Sequence, residues 1–297
     1  MGMTLKQFIG CIERFCSPSL ALSKDLVGMQ VGPHDPLLQE RARIRKCAVA
    51  VDSSPLVILR AASGGANLLL SCHGIISEPV TTITDELFDK VRLLIENRVH
   101  LYVVHTSWLS AECGLNDTLA DVLGLVVTEP LASEQDGKKT PIGRICSFSQ
   151  HHEKRDKEDD ENPHLSDFIT RIIERLRSDD VTYVGSLHAP VKKVALLAGD
   201  DGKTDILRLA KAKGVDTCLT GSISRDKALL AIDLGLNYVC VNQYILEDLG
   251  MRRLMQLLGI DAPEVELSFV ESQCPWRTYA YPNSMAMKYE PKSAHEK

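Results

Sequence analysis

The chain has 297 residues, 44% hydrophobic and 25% charged, an ordinary globular composition long enough to bury a core without disulfides or a structural metal. A net charge of −6 argues against non-specific nucleic-acid binding, which needs clustered Lys and Arg, so nucleic acid is not an expected partner. No apolar run approaches the roughly 20 residues of a membrane span, and Met1 to Phe15 lacks the unbroken apolar stretch of a signal peptide. The nine cysteines are scattered, odd in number and without a C-x-x-C pair, which indicates free thiols in a reducing compartment; a cytoplasmic location is expected.

In chain order, apolar residues at 5, 8, 9, 12 and 15 predict a first helix capped near Thr4. A loop containing Gly28, Gly32 and Pro33 follows. Lys46 to Asp52 reads as a strand, Ser54-Pro55 opens a helix through Ser63, and Ala66 to Cys72 is a second buried strand ending at His73-Gly74. A helix over Asp85 to Asn97 precedes a strand over Leu101 to Val104, which runs into His105-Thr106. Asn116 to Leu123 is helical. Strands alternating with helices imply βαβ units, and continuous apolar strands imply that both sheet faces are covered.

The second half repeats this order. The segment from Lys193 (KVALLAGDDGKTDILRLAKAKGVDTCLTGS) lies over that from Lys46, and the segment from Asp226 lies over that from Asp89. Helix Glu247 to Leu258 corresponds to Asn116 to Leu123. The expectation is an α/β protein of two similar three-layer lobes with mainly parallel sheets facing a central cleft; similarity between any two βαβ units is the competing explanation. The division expected is residues 1–125 for the first lobe, 126–190 for a connecting segment and 191–262 for the second lobe. Residues 263–297 hold a C-terminal strand and a disordered tail. The charge run 150–161 reads as a solvated loop, and apolar residues at 165, 168, 169, 172, 173 and 176 predict an amphipathic helix after it.

In parallel α/β sheets, ligands bind beyond the carboxyl ends of the strands. Three such ends carry metal-capable side chains: Cys72-His73, His105, and Val241-Asn242-Gln243-Tyr244 with Glu247 beyond it. A helix starting at Gln243 would project Gln243 and Glu247 from one face. A thiolate, imidazoles and a carboxylate suit a divalent cation. Spacing alone leaves hydrogen-bonded structural histidines and a helix-opening Glu as alternatives.

Several segments resemble the Nif-three-like family, the Ngg-one-interacting-factor homologues with a dinuclear metal centre, grouped with type-2-like GTP cyclohydrolases. Asp25-Leu-Val-Gly-Met-Gln-Val-Gly is similar to its W-D-N-V-G-L-Q-V-G loop, and Leu70-Ser-Cys-His-Gly-Ile-Ile to I-T-H-H-P-L-I. His105 to Asp117 matches H-T-N-L-D-x-x-x-G-G-x-N-D at its ends. Gly143-Arg144-Ile145 fits G-x-G-R-I, and Thr220-Gly-Ser-Ile, Ala228 to Asn242 and Glu247 follow T-G-E-I, A-x-x-x-G-L-N and G-H-Y-x-x-E. The resemblance implies two α/β lobes, two divalent ions in the cleft and a hexameric ring. Its ligands carry over as Cys72 for the first His, His73, Leu109 for the Asp, Gln243 for the later His, and Glu247. His105 of the H-T pair is retained.

Leucine cannot ligate, glutamine is a weak neutral donor, and cysteine favours softer ions such as zinc. The residues left to hold an ion are His73, Glu247, Cys72 and His105, with zinc, manganese or iron as the metal and one ion or none as the occupancy. The expected function is a non-catalytic or regulatory, ring-forming homo-oligomer; the alternative is a metal-dependent hydrolase of a phosphate- or nucleotide-like substrate. Other candidates carry less. His151-His152-Glu153 lies in the charge run, Gly199-Asp-Asp-Gly lacks the Walker pattern, and no G-x-S-x-G occurs. Cys72 beside His73 is disfavoured as a nucleophile pair, because adjacent strand residues point to opposite faces.

Overall fold

A computed structural model describes residues 2–148, 162–178, 180–199 and 205–276. In the first half the elements are β1 (Met3–Thr4), α1 (Leu5–Phe15), β2 (Gly28–Val31), α2 (Pro36–Arg41), β3 (Arg43–Ile44), β4 (Lys46–Ala50), α3 (Pro55–Ser63), β5 (Leu68–Ser71), α4 (Asp85–Glu96), β6 (His100–Val103), α5 (His105–Ser110) and α6 (Leu115–Leu123). The long hairpin β7 (Leu125–Gln135) and β8 (Lys138–Phe148) follows, then α7 (Leu165–Leu176) and β9 (Thr182–Val184). The second half holds β10 (Lys193–Leu197), α8 (Asp205–Ala212), β11 (Thr217–Thr220), α9 (Arg225–Leu234), β12 (Asn237–Cys240), α10 (Gln243–Asp261) and β13 (Glu266–Phe269).

Local chemistry sets these boundaries. The Thr4 hydroxyl accepts from Gln7 N at 3.1 Å, and Thr4 N donates to Gln7 Oε1 at 3.0 Å, a capping box that starts α1. Pro55 occupies the first turn of α3, where its missing N–H costs nothing. Gly235 closes α9 in the left-handed conformation.

Among the described residues the larger strands form two mixed sheets, ordered β13-β4-β5-β6-β2 and β7-β8-β10-β11-β12-β9. In the first, β13, β4, β5 and β6 run parallel and β2 closes the edge antiparallel. In the second, β10, β11 and β12 run parallel, flanked by antiparallel β8 and β9, with β7 antiparallel beyond β8. The first sheet thus has a single antiparallel strand, β2 at one edge, whereas the second has a parallel centre between antiparallel outer strands. The stretch 126–190 supplies β7, β8 and β9 to the second sheet, and β13, from beyond residue 262, joins the first. The charge run 150–161 and the tail beyond Pro282 lie outside the described residues.

Both faces of the first sheet are covered. Cys47, Val49, Leu68, Leu70 and Tyr102 point into a large core that continues through α1, α6 and α10 into the second sheet. The alternate residues Ala48, Ala50, Leu69, Leu101 and Val103 point into a smaller core with Val57, Ile58 and Leu94 of α3 and α4. This two-sided burial explains the unbroken apolar strands. Trp108 is fully buried where the halves meet and donates from Nε1 to Gly250 O at 3.1 Å.

Two polar residues brace the junction. Arg144 of β8 is 4% exposed; its guanidinium donates to Asp117 Oδ1 (3.0 Å) and Oδ2 (2.9 Å) and to the carbonyls of Ser110 and Ala111. Asn116 is fully buried; its amide nitrogen donates to Leu109 O (3.1 Å) and Ile142 O (2.9 Å), and its oxygen accepts from Ala198 N (3.0 Å). Such saturated buried networks fix backbone geometry because every alternative leaves a polar group unpaired.

Candidate metal centre

Strands β5 and β6 are parallel neighbours, so the turns leaving them emerge side by side. Val104 N donates to Ser71 O at 3.0 Å and His105 N to Cys72 O at 3.1 Å, which zips Cys72-His73 to His105 just past the sheet. Helix α10 starts at Gln243, capped by Asn242, whose Oδ1 accepts from Tyr244 N at 3.0 Å. Gln243 and Glu247 therefore share one face, and Gln243 Nε2 donates to Glu247 Oε1 at 2.6 Å.

The two sides meet at one contact. His73 Nε2 lies 2.8 Å from Glu247 Oε1, with the Glu247 side chain 9% and the His73 side chain 38% exposed. The His73 and His105 rings are 4.9 Å apart, tilted by 54°. A solvent-open pocket is walled by Cys72, His105, Leu109, Leu115, Gln243 and Glu247 among others.

Electrostatics follow from burial and partners. Burial pulls the His73 pKa down, but the hydrogen bond and charge of Glu247 outweigh it and hold it above its ordinary value. Burial would push the Asp25 carboxyl up, but hydrogen bonds and charge from His105, with further bonds from Thr106, hold it low. Burial drives the Cys72 thiol far up, and the nearby carboxylates of Glu247 and Asp25 add to this. Without a cation, Cys72 is a neutral thiol.

One ligand atom each from Cys72, His73 and Glu247 falls within 4.8 Å of the others. Donors 2.0–2.3 Å from a tetrahedral zinc stand about 3.3–3.8 Å apart, so the trio must draw together by about 1 Å to hold a single ion. A bound dication would also deprotonate the thiol. The same lining offers little anionic charge for a pair of ions. Paired ions stand about 3.5–4 Å apart and need anionic charge between them, yet Glu247 is the one carboxylate among the described pocket walls. Leu109 is 7% exposed on the wall. A Cβ placed on Gly199 would come 2.5 Å from Leu109 Cδ2, so this apolar side chain is tightly seated.

The structure thus gathers Cys72, His73 and Glu247 into one cluster and sets His105 on the same pocket. It reverses the expectation that Cys72 and His73 point apart: β5 ends at Ser71, so strand alternation has already ceased where the pair sits. His151-His152-Glu153 and most of Gly199-Asp-Asp-Gly lie outside the described residues. His164 caps α7, with its backbone N donating to Asp167 Oδ2 at 3.1 Å.

Sequence reading singled out no role for three further residues. Asp25 contacts His105 and Thr106 across some eighty positions of chain. Gln30 Oε1 accepts from Ile75 N (2.9 Å) and Ile76 N (3.1 Å), while its Nε2 donates to Leu26 O (2.9 Å), clasping the turn after His73. Gly74 makes room for that clasp, since a Cβ there would lie 2.3 Å from Gln30 Oε1. Only the place of Asp25 and Gln30 in the Asp25–Gly32 segment, and of Gly74 beside His73, hinted at this.

Fold and site together describe an α/β protein with a cation-capable cluster where its two halves meet. The family model for Duf34/NIF3 (NGG1p interacting factor 3) matches residues 3–275, and the chain belongs to this family. A "GTP cyclohydrolase 1 type 2 homolog" of Methanocaldococcus jannaschii is 28% identical over 270 residues, 90% of this chain and 100% of that relative. One of the same name from Streptomyces coelicolor is 30% identical over 74% of this chain and 72% of its own length. Among solved structures, reduced HcgD from M. jannaschii superimposes with a TM-score of 0.74 at 26% identity, covering 91% of this chain and 98% of that one. A Bacillus cereus protein related to NIF3 gives 0.75 at 19% identity, covering 95% and 100%, a likeness of fold.

Proposed function

We propose that this protein keeps the family fold but has exchanged a two-ion hydrolytic centre for a self-satisfied polar cluster, and works as a non-catalytic or regulatory homo-oligomer. At most one divalent ion is held, by Cys72, His73 and Glu247. The observation that carries this reading is the occupied state of Glu247: its Oε1 already accepts from Gln243 and meets His73 at 2.8 Å. The carried-over positions of the other anionic and imidazole ligands hold the seated Leu109 and the neutral Gln243. Activating water needs an open position on a firmly held ion, and two-ion charge balance needs carboxylates that this pocket lacks. The ring-shaped hexamer that the resemblance implies is part of the proposal, with 32.8-kDa chains as its unit; light scattering on purified protein checks it.

The test is a hydrolysis screen with phosphoesters, nucleoside triphosphates and cyclic nucleotides, on protein loaded with zinc, manganese or iron. No turnover above the metal-only background is expected. Metal-dependent turnover that disappears in Glu247→Ala would overturn the reading in favour of a metal-dependent hydrolase. The names of the relatives keep GTP within the substrate panel.

A further inference from the structure

His105 is held in an unusual way. Its Nδ1 lies 2.9 and 2.8 Å from the two carboxylate oxygens of Asp25. A carboxylate only accepts, so Nδ1 carries the hydrogen and Nε2 keeps its electron pair when the ring is neutral. Asp25 is itself fixed: Thr106 N donates to Oδ2 at 3.0 Å, the Thr106 hydroxyl also donates to it, and Leu22 N donates to Thr106 Oγ1 at 3.0 Å. The backbone of His105 has a φ of 31°, a left-handed conformation that a non-glycine residue adopts only where its surroundings hold it there. Strain and carboxylate together hold this ring on the pocket wall that it shares with Cys72 and Glu247, beside the ring of His73. Carboxylate–imidazole–metal chains are the usual way a protein orients a histidine ligand.

On the one-ion reading above, we propose that Asp25 is a positioning residue that presents His105 Nε2 to the pocket, making His105 the fourth protein donor to an ion on Cys72, His73 and Glu247. His105 stands outside the tight trio, so on binding the trio and the ion close toward its fixed ring. A site with four protein donors is closed. It leaves no position for an activated water and belongs with structural rather than catalytic zinc sites. Three donors leave the turns after β5 and β6, and the fourth rides on α10 from the other half. The ion therefore acts as a staple across the junction, with a thiolate favouring zinc over magnesium or calcium.

The experiment combines two measurements on the full chain. Crystals of the zinc-loaded protein should show His105 Nε2 about 2.0–2.1 Å from the ion, like His73. Competition against a chromophoric chelator should show zinc affinity falling about 10- to 100-fold in Asp25→Asn, and at least as far in His105→Ala. Thermal unfolding of each metal-free variant checks that it folds. Zinc seated on Cys72, His73 and Glu247 with His105 turned away, and unchanged affinity in Asp25→Asn, would overturn this inference and leave the one-ion reading standing. Zinc found nowhere near the trio would overturn both.

Discussion

His73 Nε2 and Glu247 Oε1 stand 2.8 Å apart, although 174 positions separate them in the chain. Their contact joins the turn after β5 to the first turns of α10, and so joins the two sheets at the pocket. Because the Glu247 side chain is nearly buried and that of His73 is not, the pair behaves as a carboxylate capped from the solvent side by an imidazole.

That arrangement gives a pH signature in metal-free protein. The His73 pKa is raised above its ordinary 6.5 by Glu247. The stabilisation is therefore complete below pH 6.5 and is lost as pH rises through the higher folded value. Because Asp52 and Asp25 also raise that pKa, Glu247→Gln should reduce this slope rather than remove it in urea unfolding measured at a series of pH values, and an unchanged slope would remove Glu247 as its main cause.

Asp25 has the opposite sign. Its folded pKa lies below the ordinary 3.8, so its contribution is present above that value and fades as pH falls through the folded one. Asp25→Asn should lower stability near neutrality by about 1–3 kcal/mol, because His105 and Thr106 lose a charged acceptor. It should also flatten the acid limb of the stability curve. Equilibrium denaturation between pH 2 and 7 measures both.

Arg144 predicts the largest structural cost. Its side chain is 5% exposed and paired with Asp117. Arg144→Leu should cost about 3–5 kcal/mol, since Asp117 and the carbonyls of Ser110, Ala111, Pro141 and Gly143 lose their donor. Arg144→Lys should recover only part of this, because an ammonium cannot reproduce the forked contact. Denaturant midpoints at constant m-value report the ranking.

Much of the fold was legible because burial leaves a periodic trace. The spacing of Leu165, Phe168, Ile172 and Leu176 marks α7, whose bounds match the expected ones, and the alternation of strands and helices appears in both halves. The hairpin of β7 and β8 was not read, although Asp136-Gly137 carries its signal: both residues have positive φ, as a two-residue type I′ turn requires. Its strands are partly exposed and broken by Pro130 and Pro141, so no long apolar run or strict alternation announced them. Helix α5 escaped because six residues give too short a pattern.

At the site, Gln243 and Glu247 sharing a helical face was legible, since four-residue spacing is local. The Asp25–His105 bond was not, because chain topology alone brings strand ends and the Asp25 loop together. The shared orientation of Cys72 and His73 was missed for a local reason, the end of β5 one residue earlier.

Restoring the carried-over ligand types gives a gain-of-function test. The double variant Leu109→Asp with Gln243→His adds a carboxylate and an imidazole to the pocket lining. Metal-free, it should be less stable by about 1–3 kcal/mol, from placing a carboxylate where Leu109 packs against Gly199. Loaded with manganese or zinc, it should bind more metal per chain than the wild type and recover stability. No gain in metal would mean that more than these two positions closed the site.

The most direct measurement of the central claim is metal stoichiometry by mass spectrometry, on chelator-free wild-type protein reconstituted with zinc, manganese or iron, beside Glu247→Ala. The account predicts one ion or fewer per chain, with any bound zinc lost in Glu247→Ala. Two ions per wild-type chain, both released by that substitution, would contradict it and return the protein to the two-ion hydrolases.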